Sequence, residues 1–104
     1  MFTKKSAIAT AKSFIKVLIS QGIPLEKAVL FGSYSLNNQR KNSDIDIALF
    51  SSAFTGVGFE DKKLIAKWNI LPEYIDIDVK TFSINDEDPF VEIIEETGIA
   101  IYNK

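Results

Sequence analysis

Two aspartates two residues apart stand in a segment that otherwise has the composition of a buried strand. The stretch "LFGSYSLNNQRKNSDIDIALF" (30–50) has a Gly-Ser step after one apolar run and the pair Asp44 and Asp46 at the start of a second. Alternate side chains of an extended strand share a face, so both carboxylates point the same way, with Cα atoms about 7 Å apart. Two such carboxylates can converge on one cation. A solvent-exposed edge strand explains the same alternation without any site.

A second pair of acids has the same spacing. In "YIDIDVKTF" (74–82), Asp76 and Asp78 alternate with apolar residues, so this stretch also predicts a strand with both carboxylates on one face. If the two strands are neighbours, three or four carboxylates come together. Such a cluster repels itself unless cations or protons neutralise it, which favours a divalent metal.

The Gly-Ser step supplies a complementary group. Gly32 permits close approach of the backbone, and a short helix beginning after it, over 33–36, would aim free N–H groups at an anion such as phosphate. The hydroxyl of Ser33 is a further donor. A phosphate site beside metal-binding carboxylates is what phosphoryl or nucleotidyl transfer requires. Taken alone, a Gly-Ser step is more often a turn.

Composition narrows the chemistry further. The chain has no cysteine and no histidine, which excludes a thiolate nucleophile, an imidazole base and a soft-ligand zinc site. Hard oxygen ligands suit magnesium, manganese or calcium. The net charge of -2 gives no long-range attraction for nucleic acid, which makes it a poor candidate partner.

The elements that must position these residues alternate between helix and strand. Apolar spacing and turn signals predict helices over 5–21, 59–71 and 89–97, the last enclosed by Asp88 as N-cap, Pro89 and Gly98. Strands are predicted over 27–31, 44–50, 74–82 and 99–104, with a loop over 37–43. We therefore expect an α+β (α/β) fold, a small mixed sheet of three to four strands packed against helices, in one domain spanning 1–104. No apolar stretch reaches the length of a membrane span and no signal peptide is evident, so we expect a cytoplasmic protein.

The combined motif resembles a known one. "FGSYSLNNQRKNSDIDIALF" is similar to the Gly-Ser, ten-residue spacer, Asp-X-Asp motif of the DNA polymerase beta-type nucleotidyltransferase superfamily, and most similar to its minimal nucleotidyltransferase (MNT) family. The resemblance implies the nucleotidyltransferase fold and a nucleoside triphosphate, with ATP favoured, held by Gly32 and Ser33. It implies that Asp44 and Asp46 bind two Mg²⁺ ions, with Mn²⁺ as an alternative. Many relatives carry Ala and Gly where this chain has Ser35 and Asn37.

A third carboxylate on a following strand completes the family's site. Asp76 and Asp78 share a predicted strand face and differ only in position along it, so direction does not separate them. The resemblance of the following stretch "DPFVEIIEETGIAIY" to one minimal subgroup favours Asp76 as the catalytic and metal-binding residue, with Asp78 as the alternative.

Three functions fit this sequence. The first is a transferase that moves AMP or another nucleoside monophosphate to a hydroxyl, on a HEPN-domain protein if the resemblance holds, as a protein adenylyltransferase. The second is an antitoxin that neutralises a HEPN toxin by binding alone, as in HEPN/MNT toxin-antitoxin systems. The third is an α/β domain with merely exposed acidic strands. A second copy of the chain is an alternative partner.

Apolar residues in the predicted loop 51–58 suggest where a partner binds. Phe54 and Val57 in this loop, with Phe59 just after it, have no core role that periodicity assigns. We predict a docking surface here or at 99–104; the alternative is that these side chains fold back over the second helix.

Overall fold

Helices and strands alternate along the chain in the computed structural model, which describes residues 3–32 and 44–104. The elements in chain order are α1 (Lys4–Ser20), β1 (Leu25–Phe31), β2 (Ile45–Ser51), α2 (Gly58–Lys62), α3 (Ala66–Asn69), β3 (Ile77–Phe82), α4 (Pro89–Thr97) and β4 (Ile99–Asn103). The predicted short helix over 33–36 and the loop over 37–43 lie outside the described residues.

The four described strands form one mixed sheet in the order β3-β2-β1-β4. β1 is antiparallel to both β2 and β4, whereas β2 and β3 are parallel. The C-terminal end of β1 therefore lies at the same end of the sheet as the N-terminal ends of β2 and β3. The predicted fold class, a small mixed sheet with helices against it, is confirmed.

The two faces of the sheet carry separate apolar clusters because strand side chains alternate. One face packs against α1 through a large buried cluster that includes Leu30, Ile47 and Val79. The other face carries a smaller cluster, which α4 covers through the buried Ile94. Alternation places Asp46 and Asp78 on this second face, beyond the area that its apolar cluster occupies.

Capping side chains mark the starts of two helices, and the cap predicted for α4 is confirmed. α1 begins after Thr3, whose side chain forms a capping box with Ser6. α4 begins after Asp88, whose carboxylate accepts the backbone N–H of Phe90 at 2.9 Å. Gly98 ends α4 in an extended conformation, and a Cβ there would overlap the Val29 side chain and lie 2.8 Å from the Leu30 carbonyl oxygen. The glycine thus lets the chain pass directly over β1 into β4.

The single helix predicted over 59–71 is wrong, because the chain forms two short helices, α2 and α3, joined by turns. In the joining turns, the Leu64 and Ile65 N–H groups bond to carbonyls three residues earlier. Of the apolar positions that suggested the helix, Ile65 is buried, but Leu64 and Leu71 are exposed. No described helix is both long and apolar enough to cross a membrane.

The third strand begins later than predicted. β3 starts at Ile77, and the residues before it form a turn that the Asn69 side-chain amide closes by donating to the carbonyls of Tyr74 and Ile77 at 3.0 and 3.1 Å. Asp76 is therefore in the turn, and strand alternation does not place its carboxylate with that of Asp78.

Candidate active site

Asp46 and Asp78 are neighbours across the parallel pair β2 and β3. They are register partners, and the charge of Asp78 acts on the carboxyl group of Asp46. Burial raises the pKa of Asp46 from 3.8 to about 6, with repulsion from Asp78 and Asp44 adding to the rise and the charge of Lys80 opposing it. Burial and repulsion both disfavour the charged form of Asp46, and a cation bound between the two carboxylates would relieve that repulsion.

The backbone of Gly32 lies directly against this pair. Gly32 follows the last residue of β1, Phe31, which is the register partner of Asp46. Its φ is +74°, and a Cβ built on it would overlap Oδ2 of Asp46. Only glycine allows the chain to leave β1 in this direction while the carboxylate stays where it is. The structure therefore brings together the predicted Gly32 and Asp46; Ser33 lies outside the described residues.

Asp44 and Asp76 occupy positions just before their strands. Both are exposed, and Asp44 is close enough for its charge to act on Asp46. The Asp76 carbonyl accepts the N–H of Ile45 at 2.9 Å, which joins the beginnings of β2 and β3 through the backbone. Of the two candidates for the third carboxylate, the register thus places Asp78, and not Asp76, beside Asp46.

The donor set suits a hard divalent cation. Within residues 3–32 and 44–104, no three acidic side chains are grouped closely enough to hold a metal ion. The Asp46–Asp78 pair nevertheless supplies carboxylate oxygens whose mutual repulsion a cation would relieve, and the charge of the adjacent Asp44 also acts on Asp46. The chemistry of these oxygen donors therefore fits a hard cation such as Mg²⁺ or Mn²⁺.

A cavity of about 570 Å³ lies along β3, between residues of α2 and residues at the start of α4. Its floor includes Lys80, which lies two residues beyond Asp78 on the same strand face. Its walls include Phe59 from α2 and Phe90 from α4. The Phe90 ring meets that of Phe31 edge to face, with centroids 5.8 Å apart, so α4 connects the cavity to the end of β1.

Asp61 is a buried carboxylate that the sequence did not single out. It accepts the N–H groups of Thr55 and Gly56 at 2.8 and 2.9 Å and the hydroxyls of Thr55 and Thr81 at 3.1 and 2.9 Å. Burial alone would raise its pKa, but these hydrogen bonds, led by that from the Thr55 backbone, outweigh burial and lower it. Asp61 thus fixes the 55–56 loop to β3 and holds one wall of the cavity in place.

Comparison with known proteins agrees with this geometry. The family model described as "Polymerase beta, Nucleotidyltransferase" matches residues 13–104. A protein from Sulfolobus solfataricus, described provisionally as a nucleotidyltransferase, superposes with a TM-score of 0.72 at 16% identity, covering 97% of this chain and 84% of its own; it shows the fold alone. No protein of curated function matches significantly.

Two further solved structures are more similar in sequence. A toxin-antitoxin crystallised with AMP-PNP has a TM-score of 0.62 at 28% identity. A mutant of the toxin-antitoxin MntA-HpeT has a TM-score of 0.60 at 26% identity. Each covers 89% of this chain and 73% of its own. These matches confirm the resemblance drawn from the Gly-Ser and Asp-X-Asp motif: the chain belongs to the polymerase beta nucleotidyltransferase family, and its relatives include toxin-antitoxin proteins of the minimal nucleotidyltransferase type.

Proposed function

We propose that this protein transfers a nucleoside monophosphate, AMP in the first instance, from a nucleoside triphosphate to a hydroxyl on a HEPN-type partner protein. One observation carries the proposal: the Asp46–Asp78 pair lies in register across β2 and β3 with the Gly32 backbone against it. The carboxylates proposed to bind metal and the glycine turn proposed to bind phosphate thus lie together at one end of the sheet.

Each residue has a role in this scheme. Asp44, Asp46 and a third aspartate would hold two Mg²⁺ ions, whose charge would stabilise the attacking and leaving oxygens of the transfer. The register supports Asp78 as the third residue, with Asp76 as the alternative. Gly32 and Ser33 bind the terminal phosphates.

The transfer itself needs few groups from the protein. The acceptor oxygen forms a bond to the α-phosphorus, the bond from that phosphorus to the bridging oxygen breaks, and pyrophosphate leaves. Asp78 lies on the side of Asp46 that is away from Gly32, and in this scheme it receives the proton of the acceptor hydroxyl. The remaining work is orientation, which requires an acceptor held by a surface outside this small sheet.

Exposed apolar side chains on α2, α3 and the adjoining loops support a protein as the acceptor. Val57 and Phe59 are 55% and 74% exposed, and Ile70 and Ile75 are 68% and 62% exposed. Phe54 is buried in the larger apolar cluster, so it is not part of the docking surface predicted for the loop. The toxin-antitoxin relatives support a toxin as the protein that covers this surface.

The second candidate function is neutralisation of a toxin by binding alone. The same exposed side chains and the same toxin-antitoxin relatives favour it. It differs from the first in needing no bound metal or nucleotide, so mutations at Asp46 and Asp78 would leave it intact.

One experiment separates the two functions. The protein is incubated with Mg²⁺ and each labelled nucleoside triphosphate, with and without a co-expressed HEPN-type partner, and the partner is analysed by mass spectrometry. An added nucleotide that is lost with Asp46→Asn and kept with the surface control Glu96→Gln supports transfer. A stable complex without modification supports binding alone. Absence of both complex and modification would refute a HEPN-type partner.

A further inference from the structure

The cavity along β3 lies at the outer edge of the sheet. β3 is the last strand of the described sheet, and β2 pairs with one side of it. Four consecutive residues of β3, 79–82, line the cavity. Because successive side chains of a strand point to opposite faces, a space that all four residues contact lies against the edge of the strand and not over one face. The cavity is therefore a groove along the edge of β3, between α2 and the start of α4, which we call the edge groove.

The register shows which backbone groups of β3 point into the edge groove. The Ile45 N–H donates to the Asp76 carbonyl, and Ile45 is the register partner of Ile77. In a parallel pair, this pattern turns every second residue of the strand toward its neighbour and the residues between them away from it. The N–H and C=O groups of Ile77, Val79 and Thr81 therefore point outward, away from β2.

The first of these outward residues has partners within the chain, and the next two do not. Ile77 donates its N–H to the Tyr74 carbonyl, and its own carbonyl accepts the Asn69 side-chain amide. Among residues 3–32 and 44–104, the backbone N–H and C=O groups of Val79 and Thr81 have no hydrogen-bond partner. These two residues are 1% and 6% exposed, and buried backbone groups without a partner are rare in folded proteins. The groove that both residues line thus offers two donors and two acceptors to a bound chain.

Each side of the edge groove carries one aromatic ring and one ammonium group. Phe59 and Lys62 come from α2, whereas Phe90 comes from α4 and Lys80 from the sheet face that α4 covers. In the part of the chain that the structure describes, neither lysine forms an ion pair. The acid in the lining, Asp88, already accepts the N–H of Phe90 as the cap of α4. The groove is therefore locally basic in a chain of net charge -2, which favours acidic and apolar side chains on its occupant.

A single extended segment fits the edge groove better than a second copy of the chain does. β4, at the opposite edge of the described sheet, has no acidic residue within Ile99–Asn103 to meet the lysines. The β3 strand of a second copy lies between its own α2 and α4, which would meet those of the first copy before the strands could pair. A segment without flanking elements avoids this collision, and residues 79–82 span about 10 Å, enough to pair with three or four residues.

We propose that the edge of β3 docks an extended acidic segment of the partner protein, which adds as a further strand and pairs its backbone with Val79 and Thr81. This inference rests on the proposed function only in taking a protein as the partner. Addition of a strand to a free sheet edge is a recurring mode of peptide recognition, in which the backbone gives affinity and alternate side chains give specificity. Alternate side chains of the added strand would meet the two sides of the groove, so acidic and apolar residues are favoured on both faces of the segment.

The test uses the blocked hexapeptide Glu-Glu-Val-Val-Glu-Glu, which has acidic and apolar side chains on both faces of a strand. The peptide is titrated into the ¹⁵N-labelled parent protein without metal or nucleotide, and the amide signals are followed by NMR. The amides of Val79 and Thr81 should shift strongly and that of Lys80 little, because the Lys80 N–H points toward β2. The same peptide with methylated backbone nitrogens should not bind, since it cannot donate to the outward carbonyls.

Charge variants test the two lysines separately from the backbone. Lys62→Gln and Lys80→Gln should each weaken the acidic peptide about threefold, which is the scale of an exposed ion pair. The control Lys12→Gln, at an exposed residue of α1 outside the groove, should leave the affinity unchanged. The basic peptide Lys-Lys-Val-Val-Lys-Lys should bind more weakly than the acidic one to the parent.

Each contrary outcome overturns the inference in its own way. Absence of shifts at Val79 and Thr81 with millimolar peptide refutes docking at this edge, and equal binding of the methylated peptide refutes strand addition. Shifts of the same amides with protein concentration, without peptide, would identify a second copy as the occupant and overturn the partner segment. These measurements use no nucleotide, so their failure leaves the proposed transfer standing, and failure of transfer leaves the peptide result standing.

Discussion

Asp46 and Asp78 are register partners on adjacent parallel strands, and burial together with the charge of Asp78 raises the pKa of Asp46 to about 6. The pair is unfavourable while both carboxylates are charged, because each repels the other in a part-buried setting. This relationship leads to the first two predictions.

Divalent metal should stabilise the parent protein. In the absence of metal, replacement of the Asp46 carboxylate should also be stabilising. Mg²⁺ or Mn²⁺ should raise the melting temperature of the parent by several degrees. Asp46→Asn should stabilise the metal-free protein by about 1 kcal/mol, less than the full pKa shift implies because the group is partly solvated. The double variant Asp44→Asn/Asp46→Asn should lose the response to metal. A melting curve of the parent that does not move with metal and nucleotide would contradict a site here.

The stability of the metal-free protein should depend on pH in a defined direction. The folded pKa of Asp46 is above its ordinary value of 3.8, so its contribution is most favourable below that pH and is lost as pH rises through about 6. Denaturant unfolding measured at pH 4 to 8 should show this decline in the parent and not in Asp46→Asn. The same decline in both proteins would mean that another group is responsible.

Substitution of Asp76 and of Asp78, one at a time, should show which of them is the third carboxylate of the site. Asp78→Asn should reduce the rate of nucleotide transfer by about 100-fold or more, because several kcal/mol of transition-state stabilisation depend on the metal ligands. Asp76→Asn should have a small effect, since this residue lies in the turn before β3. Single-turnover rates of the two variants provide the measurement. A larger loss of rate in Asp76→Asn than in Asp78→Asn would favour Asp76 as the third carboxylate. Small, equal losses of rate in both variants would refute a three-carboxylate site.

Gly32→Ala should be far more harmful than a matched glycine change. Both Gly32 and Gly22 have positive φ, of +74° and +90°, but a Cβ at Gly22 meets nothing within 4 Å whereas one at Gly32 overlaps Asp46. Gly22→Ala should cost about 1 kcal/mol from backbone strain alone. Gly32→Ala should cost clearly more and displace the Asp46 carboxylate, so it should also abolish the stabilisation by metal. Similar melting temperatures and similar metal responses in the two variants would count against close packing of Gly32 on Asp46.

Loss of the Asp61 carboxylate should loosen the cavity wall. Asp61→Ala removes the acceptor of two backbone and two hydroxyl donors, which should destabilise the protein by about 3 kcal/mol. The pKa of Asp61 is lowered, so its stabilising contribution is present above pH 3.8 and is lost as pH falls below that value. Glu60→Ala, at an exposed neighbour, is the control. Hydrogen exchange of the Thr55 and Gly56 amides measures the local effect, and unchanged protection would contradict it.

Much of the site could be predicted because its signals are local. The alternation around Asp46 and the glycine before a turn are patterns of a few residues, as are the Asp88 cap and Pro89 that begin α4. The ambiguity between Asp76 and Asp78 is of another kind. It depends on the register between β2 and β3 and on where β3 begins, and neither is encoded within the nine residues of "YIDIDVKTF".

Long-range contacts explain what sequence reasoning missed. Asp61 falls in a stretch with helical spacing, and its partner Thr81 is 20 residues away, so no local pattern identifies it as a buried ligand of backbone amides. The same contact helps to explain why the helix predicted over 59–71 is interrupted, since Asp61 is buried and held toward β3. Phe54 likewise joins the core from a loop, where periodicity gives no signal.

The order of strands also has a consequence for how the protein folds. One side of β1 pairs with β2, which follows it closely in the sequence. The other side pairs with β4, and the register partners Val29 and Ala100 are 71 residues apart in the sequence. Closing so long a loop costs more entropy than any other strand pairing in the described sheet and contributes to slow folding. Until it closes, β1 is an unprotected edge able to pair with another chain. The strand that leads into Gly32 therefore keeps one unpaired side until β4 has joined the sheet.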